Sequence, residues 1–90
     1  MYQLETFQSG TLAYSKAGHD KGKLYVIIEA DYEYVYLVDG IYKKIDSPKK
    51  KKIKHIQIIN EIPESIKECI NSGQKITDID IKRAIKQFLK

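Results

Sequence analysis

The sequence predicts a mainly β domain, a small barrel of about five antiparallel strands over residues 1–60, with a C-terminal extension of two helices over residues 61–90. Three observations carry this prediction. Ninety residues permit one small core and no more. Short runs rich in β-branched and aromatic residues, punctuated by Asp, Gly and Pro, fill the first two thirds of the chain. The hydrophobic period then changes from two to 3.6 near Pro63. Five short strands are too few for a sandwich, so closing one sheet on itself is the arrangement that covers both faces.

The first strand is Gly10 to Ser15, which alternates weakly and stops before Gly18. Lys23 to Ala30 and Glu33 to Val38 are the second and third. Asp31-Tyr32 between them is a polar turn, so the two should pair as an antiparallel hairpin. Asp39-Gly40 signals the next turn, and Tyr42 to Asp46 reads as a short fourth strand. Pro48 lacks a donor and fits an edge or a loop. Ile53 to Ile59 reads as the fifth strand, with Ile56 and Ile58 facing in and Lys54 on their side. In the helical part, Pro63 suits a first helical position, Ile66, Cys69 and Ile70 share one face, and Gly73 is a stop. Thr77 and Asp80 resemble a capping box, and Ile81, Ala84, Ile85 and Phe88 form a second apolar stripe. The helices either cover an open side of the barrel or stand apart as a hairpin.

Composition narrows the function. Apolar residues make up 42% and charged residues 31%, a globular balance. No apolar run is long enough to span a membrane. Met1 to Glu5 has neither a basic start nor an apolar stretch, so no signal peptide is expected there. The single cysteine, Cys69, excludes an internal disulfide and falls on an apolar helix stripe, as a core cysteine does. A reduced, cytoplasmic setting is expected. Sixteen basic and twelve acidic residues give a net charge of +4. Residues 43–54 hold seven of the lysines against one acid, Asp46, so the positive excess is concentrated in twelve residues. Such a field suits a nucleic acid; a solvated surface, an acidic protein or a lipid headgroup are the other readings.

The sharpest local signal is Ser15-Lys16-Ala17-Gly18-His19-Asp20-Lys21-Gly22-Lys23, a loop with two glycines and three lysines between apolar strands. Glycine backbone with nearby ammonium groups can cradle phosphate. It is not a nucleotide-binding P-loop: three residues rather than four separate the glycines, Leu24 stands where the metal-binding hydroxyl belongs, and no helix follows. His19 and His55 lack the cysteine or carboxylate spacing of a metal site, and no nucleophile-base constellation is present, so no metal, cofactor or catalytic residue is expected. Asp20 and Asp39 are expected to organise turns through backbone hydrogen bonds. Tyr25, Tyr34, Tyr36 and Tyr42 fall in the expected strands, and Tyr25, Tyr34 and Tyr36 face outward if Val26, Ile28, Val35 and Leu37 face the core. Outward tyrosines beside lysines can stack on bases, support the helices, or form a protein interface.

Gly10 to Lys23 resembles the KOW motif of RNA-binding and ribosomal proteins. With Tyr36-Leu37-Val38-Asp39-Gly40, then Pro48 to Lys52, then Lys54-His55-Ile56, the likeness extends over residues 8–59. The chain is similar there to small KOW-domain proteins of Gram-positive bacteria that themselves resemble an archaeal and eukaryotic large-subunit ribosomal protein. The resemblance implies an SH3-like barrel, RNA binding, and a place in translation or ribosome assembly. It implies that Lys16, Gly18, His19, Asp20, Lys21, Gly22 and Lys23 form the RNA-binding loop, with Asp39-Gly40 as the turn before a basic segment, Lys43 and Lys44. Lys49, Lys50, Lys51, Lys52, Lys54 and His55 are the second basic element. Family members often carry arginine at the positions of His19, Lys43 and Lys44; lysine exchanges a planar fork for a point charge. The expected partner is RNA of ribosomal kind, with a ribosomal or translation-factor protein as a further contact. The alternative is a protein-interaction module that binds through its tyrosine face and C-terminal helices.

Overall fold

A computed structural model describes residues 9–90. The expectation about Met1 to Glu5, and the first position of the family resemblance, lie outside the described residues. Five strands form one antiparallel sheet: β1 (Thr11–Ser15), β2 (Leu24–Ala30), β3 (Tyr34–Val38), β4 (Lys49–Lys52) and β5 (Ile56–Ile59), in the order β4-β3-β2-β1-β5. The two edge strands are consecutive in sequence and joined by a single 3-10 turn, Ile53–His55. The sheet is therefore curled into a half-barrel, as a small SH3-like barrel is. Two helices follow, α1 (Glu64–Ser72) and α2 (Asp78–Leu89).

Alternation along the strands divides the interior into two layers. Ala13, Tyr25, Ile27, Val35, Leu37 and Ile56 fill the concave side of the sheet. Leu12, Leu24, Val26 and Val38 point the other way and meet Ile66 of α1 and Ile81 and Ala84 of α2. The helices thus cover the convex side of the barrel. A shift in the β2–β3 register between Ile27 and Glu29 keeps both Ile27 and Ala30 against the concave core.

The turns hold through specific oxygens. Asp31 Oδ1 accepts the N–H groups of Glu33 and Tyr34 and closes the β2–β3 hairpin. Gly73 ends α1 at φ +74°, with its N–H on the Ile70 carbonyl and that of Gln74 on Cys69. Thr77 and Asp80 form the capping box of α2. Pro63 is the residue just before α1 rather than its first helical residue.

Two elements differ from expectation. Tyr42 to Asp46 is not a strand. Asp39 Oδ1 accepts three successive N–H groups there, from Ile41, Tyr42 and Lys43, and Asp78 of α2 accepts that of Ile45. With these donors taken, no ladder can form. The fourth strand is instead the lysine run Lys49–Lys52, paired with Tyr34 to Leu37. Lys54 accordingly belongs to the 3-10 turn, not to the fifth strand, and is exposed.

Candidate nucleic-acid interface

The pairing register decides which basic residues meet. Tyr14 lies opposite Leu24, Val38 opposite Val26, and Lys49 opposite Leu37. The β1–β2 loop and the β3–β4 loop therefore leave the same end of the sheet. The Lys16 N–H donates to the His55 carbonyl at 2.8 Å and ties the second basic element to that end. Lys16, Lys21, Lys23, Lys43, Lys44, Lys49 and Lys51 are placed there against Asp20, Asp39 and Asp46, and Asp78 of α2 is bonded to the β3–β4 loop; seven lysines and four aspartates leave +3.

A polar knot closes the concave core at this end. Asp20 Oδ1 accepts from Ser15 Oγ and Lys51 Nζ, both at 2.8 Å. Its Oδ2 accepts from the Tyr25 hydroxyl at 2.8 Å and Lys49 Nζ at 2.9 Å. Asp20 therefore braces the loop through side chains rather than through the backbone bonds expected of it. Burial alone would raise its pKa, but Lys51, Lys49, Ser15 and Tyr25 overcome that and hold it far below the ordinary carboxylate value. Burial first, and then the Asp20 charge, push the Tyr25 hydroxyl well above its ordinary value. Asp39 makes a second pair, with Lys23 Nζ at 2.7 Å. Burial opposes its ionisation, and Lys23 and the loop N–H groups prevail, so its pKa is also lowered.

Strand alternation splits the lysine run. Lys49 and Lys51 stand opposite Leu37 and Val35, on the concave side, and reach Asp20. Lys50 and Lys52 stand opposite Tyr36 and Tyr34, on the convex side. The Lys50 ammonium lies 4.3 Å from the centroid of the Tyr34 ring, and Lys52 is 3.9 Å from Glu33. Lys16, Gly18, His19, Lys21, Gly22, Lys44, Lys50 and Lys54 are exposed, while Lys23, Lys43, Lys52 and His55 are half-buried. Among the described residues no carboxylate pairs with Lys16, Lys21, Lys43, Lys44 or Lys54.

The loop glycines are required. Gly18 and Gly22 adopt φ of +85° and +89°. A Cβ on Gly22 would meet nothing within 4 Å, so strain alone bars a larger residue and the backbone there is open to a partner. Gly40 is different: at φ +80° its Cβ would run into the Asp78 carbonyl, which seats the β3–β4 loop on α2.

The tyrosines divide. Tyr25 is not outward: it is 2% exposed, inside the concave core, and offers no stacking face. It shares the face of Ile27, whereas Val26 and Ile28 meet the helical layer, because β2 is covered on both sides. Tyr34 and Tyr36 lie on the convex face beside Lys50 and Lys52. Tyr42 belongs to the β3–β4 loop and is 79% exposed.

Sequence reasoning passed over Lys82 and Lys86 of α2, which line a groove together with Gly22, Lys23 and Tyr42. Their position away from the apolar stripe is visible in the helical pattern; their nearness to the glycine loop depends on how α2 docks. No helix among the described residues is long and apolar enough to cross a membrane, and no cluster of metal-ligating side chains occurs among them. No protein-family model matches the chain, and no curated protein matches it significantly.

Proposed function

We propose that the chain is a non-catalytic RNA-binding domain that acts in the cytoplasm on ribosomal or ribosome-associated RNA, in translation or ribosome assembly. The observation that carries this reading is the convergence of the glycine-lysine loop, the β3–β4 loop and His55 at one end of the sheet. Lysines without carboxylate partners there supply affinity by neutralising phosphates, and the Gly18–Gly22 backbone fixes orientation. The pairs of Asp20 and Asp39 hold the loops in place before RNA arrives, which lowers the ordering cost of binding. The KOW resemblance of residues 8–59 supports the ribosomal assignment.

The rival reading is a protein-interaction module that binds through its tyrosine face and C-terminal helices; Ile66, Ile81 and Ala84 of those helices are buried against the sheet, so its contact surface would be Tyr42 with the exposed Ile70, Ile79 and Leu89. Crosslinking in cells followed by sequencing of the attached RNA tests the proposal. Enrichment of ribosomal RNA at positions joined to the Lys16–Lys23 loop is the expected result. Recovery of protein adducts alone would favour the rival.

A further inference from the structure

The barrel and α2 share a groove of about 480 Å³ beside the glycine loop. Its apolar lining comes from Tyr14 of β1, Leu24 of β2, Ile41 and Tyr42 of the β3–β4 loop, and Ile85 and Leu89 of α2. Three of these remain open to water: Tyr42 at 79%, Leu89 at 61% and Ile41 at 51% exposure. A surface left this apolar between two docked elements is what a binding site offers. Its rim is cationic. Lys82 and Lys86 line it one helical turn apart, and among the described residues neither has a carboxylate partner. Like charges at that spacing repel each other, and an anion between them relieves the repulsion. Across the groove, Lys23 is held by Asp39, and its ammonium lies 4.9 Å from the centroid of the Tyr42 ring.

A flat apolar body attached to an anionic chain is the chemistry that matches an apolar groove with lysines on its edge. We propose that this groove takes one unpaired base of the RNA, stacked on Tyr42, with the adjoining phosphates on Lys82 and Lys86. The inference rests on the RNA-binding reading and adds the class of RNA: one that presents a bulged or loop nucleotide rather than a uniform duplex. The groove is continuous with the cationic loop end, since Gly22 and Lys23 belong to both. Gly22 has no side chain to close that passage, and a Cβ there would still meet nothing within 4 Å. A base within a duplex is stacked between its neighbours and cannot enter.

The test compares a short RNA duplex with the same duplex carrying one bulged 2-aminopurine. The bulged RNA should bind at least about fivefold tighter, the low end of what stacking one base supplies. The fluorescence of the 2-aminopurine should change on binding. The double variant Tyr42→Ala, Leu89→Ser should lose that preference while keeping its melting temperature, since both side chains are exposed. Equal binding of the two probes, or a preference that survives in the variant, overturns the inference and leaves RNA binding standing. Failure to bind either RNA removes both the inference and the reading beneath it. Tighter binding of an acidic amphipathic peptide than of the bulged RNA gives the groove to a protein partner. Self-association of the wild type that Leu89→Ser abolishes gives it to a second copy. Either result overturns the inference.

Discussion

Asp20 accepts from Ser15, Tyr25, Lys49 and Lys51 at once, with a side chain only 12% exposed. Asp20→Asn leaves two lysines with no counter-charge beside an apolar core. It should cost about 2–4 kcal/mol at neutral pH, towards the low side for breaking a buried pair because Lys49 is 31% exposed. The pH dependence has a definite sign. The folded pKa is depressed, so the Asp20 contribution is fully present above its unfolded value near 3.8 and fades as pH falls below it. Urea midpoints of wild type and Asp20→Asn should therefore converge as pH drops below about 4, and a gap that stays constant would contradict this role for Asp20. Gly22 makes a cleaner probe of the loop. Gly22→Val should lower stability by about 1–3 kcal/mol through its positive φ. If RNA backbone approaches the loop there, affinity should stay low even in the folded fraction, as titration below the melting transition would show. Wild-type stability and affinity in this variant would remove the loop from the interface.

At the scale of elements, β1, β2, β3 and both helices were legible, because each carries its own hydrophobic period or turn chemistry. The fourth strand was not. Its residues, Lys49–Lys52, have no apolar pattern, and what makes them a strand is the β3 ladder, the Asp20 carboxylate and the tyrosine rings, all distant in sequence. Tyr42 to Asp46, which follows the Asp39-Gly40 turn, is held out of the sheet by Asp39 and Asp78. The candidate site shows the same division. The glycine loop could be read from its own residues, whereas the segregation of the lysine run between Asp20 and the convex face follows only from register. That segregation predicts a split result. Lys49→Ala with Lys51→Ala should lower the melting temperature. Lys50→Ala with Lys52→Ala should leave it nearly unchanged, and should reduce the salt slope of RNA binding by up to about 0.7–0.9 for each phosphate no longer neutralised. The cap of α2 makes a separate test of stability: Thr77→Ala should cost about 1 kcal/mol, read by chemical denaturation.

For the whole molecule, the described structure joins barrel and helices through one shared layer, Leu12, Leu24, Val26 and Val38 against Ile66, Ile81 and Ala84. Cutting the chain after Asn60 would expose that convex face. The truncated barrel should lose its cooperative melting transition and bind a hydrophobic dye; a sharp transition would show that the helices are dispensable. The same layer fixes α2 beside the cationic end, so the fold and the proposed interface stand together. The central claim is that the converged lysines without carboxylate partners bind RNA electrostatically. Its most direct test is the affinity for a ribosomal RNA fragment, measured across salt concentrations, for the wild type and for a variant with Lys16, Lys21, Lys43 and Lys44 replaced by alanine. The expected result is a steep negative log–log slope for the wild type, shallower in the variant by about 0.7–0.9 for each phosphate left without its lysine, with an unchanged melting temperature. Equal slopes and affinities for the two proteins would contradict the claim.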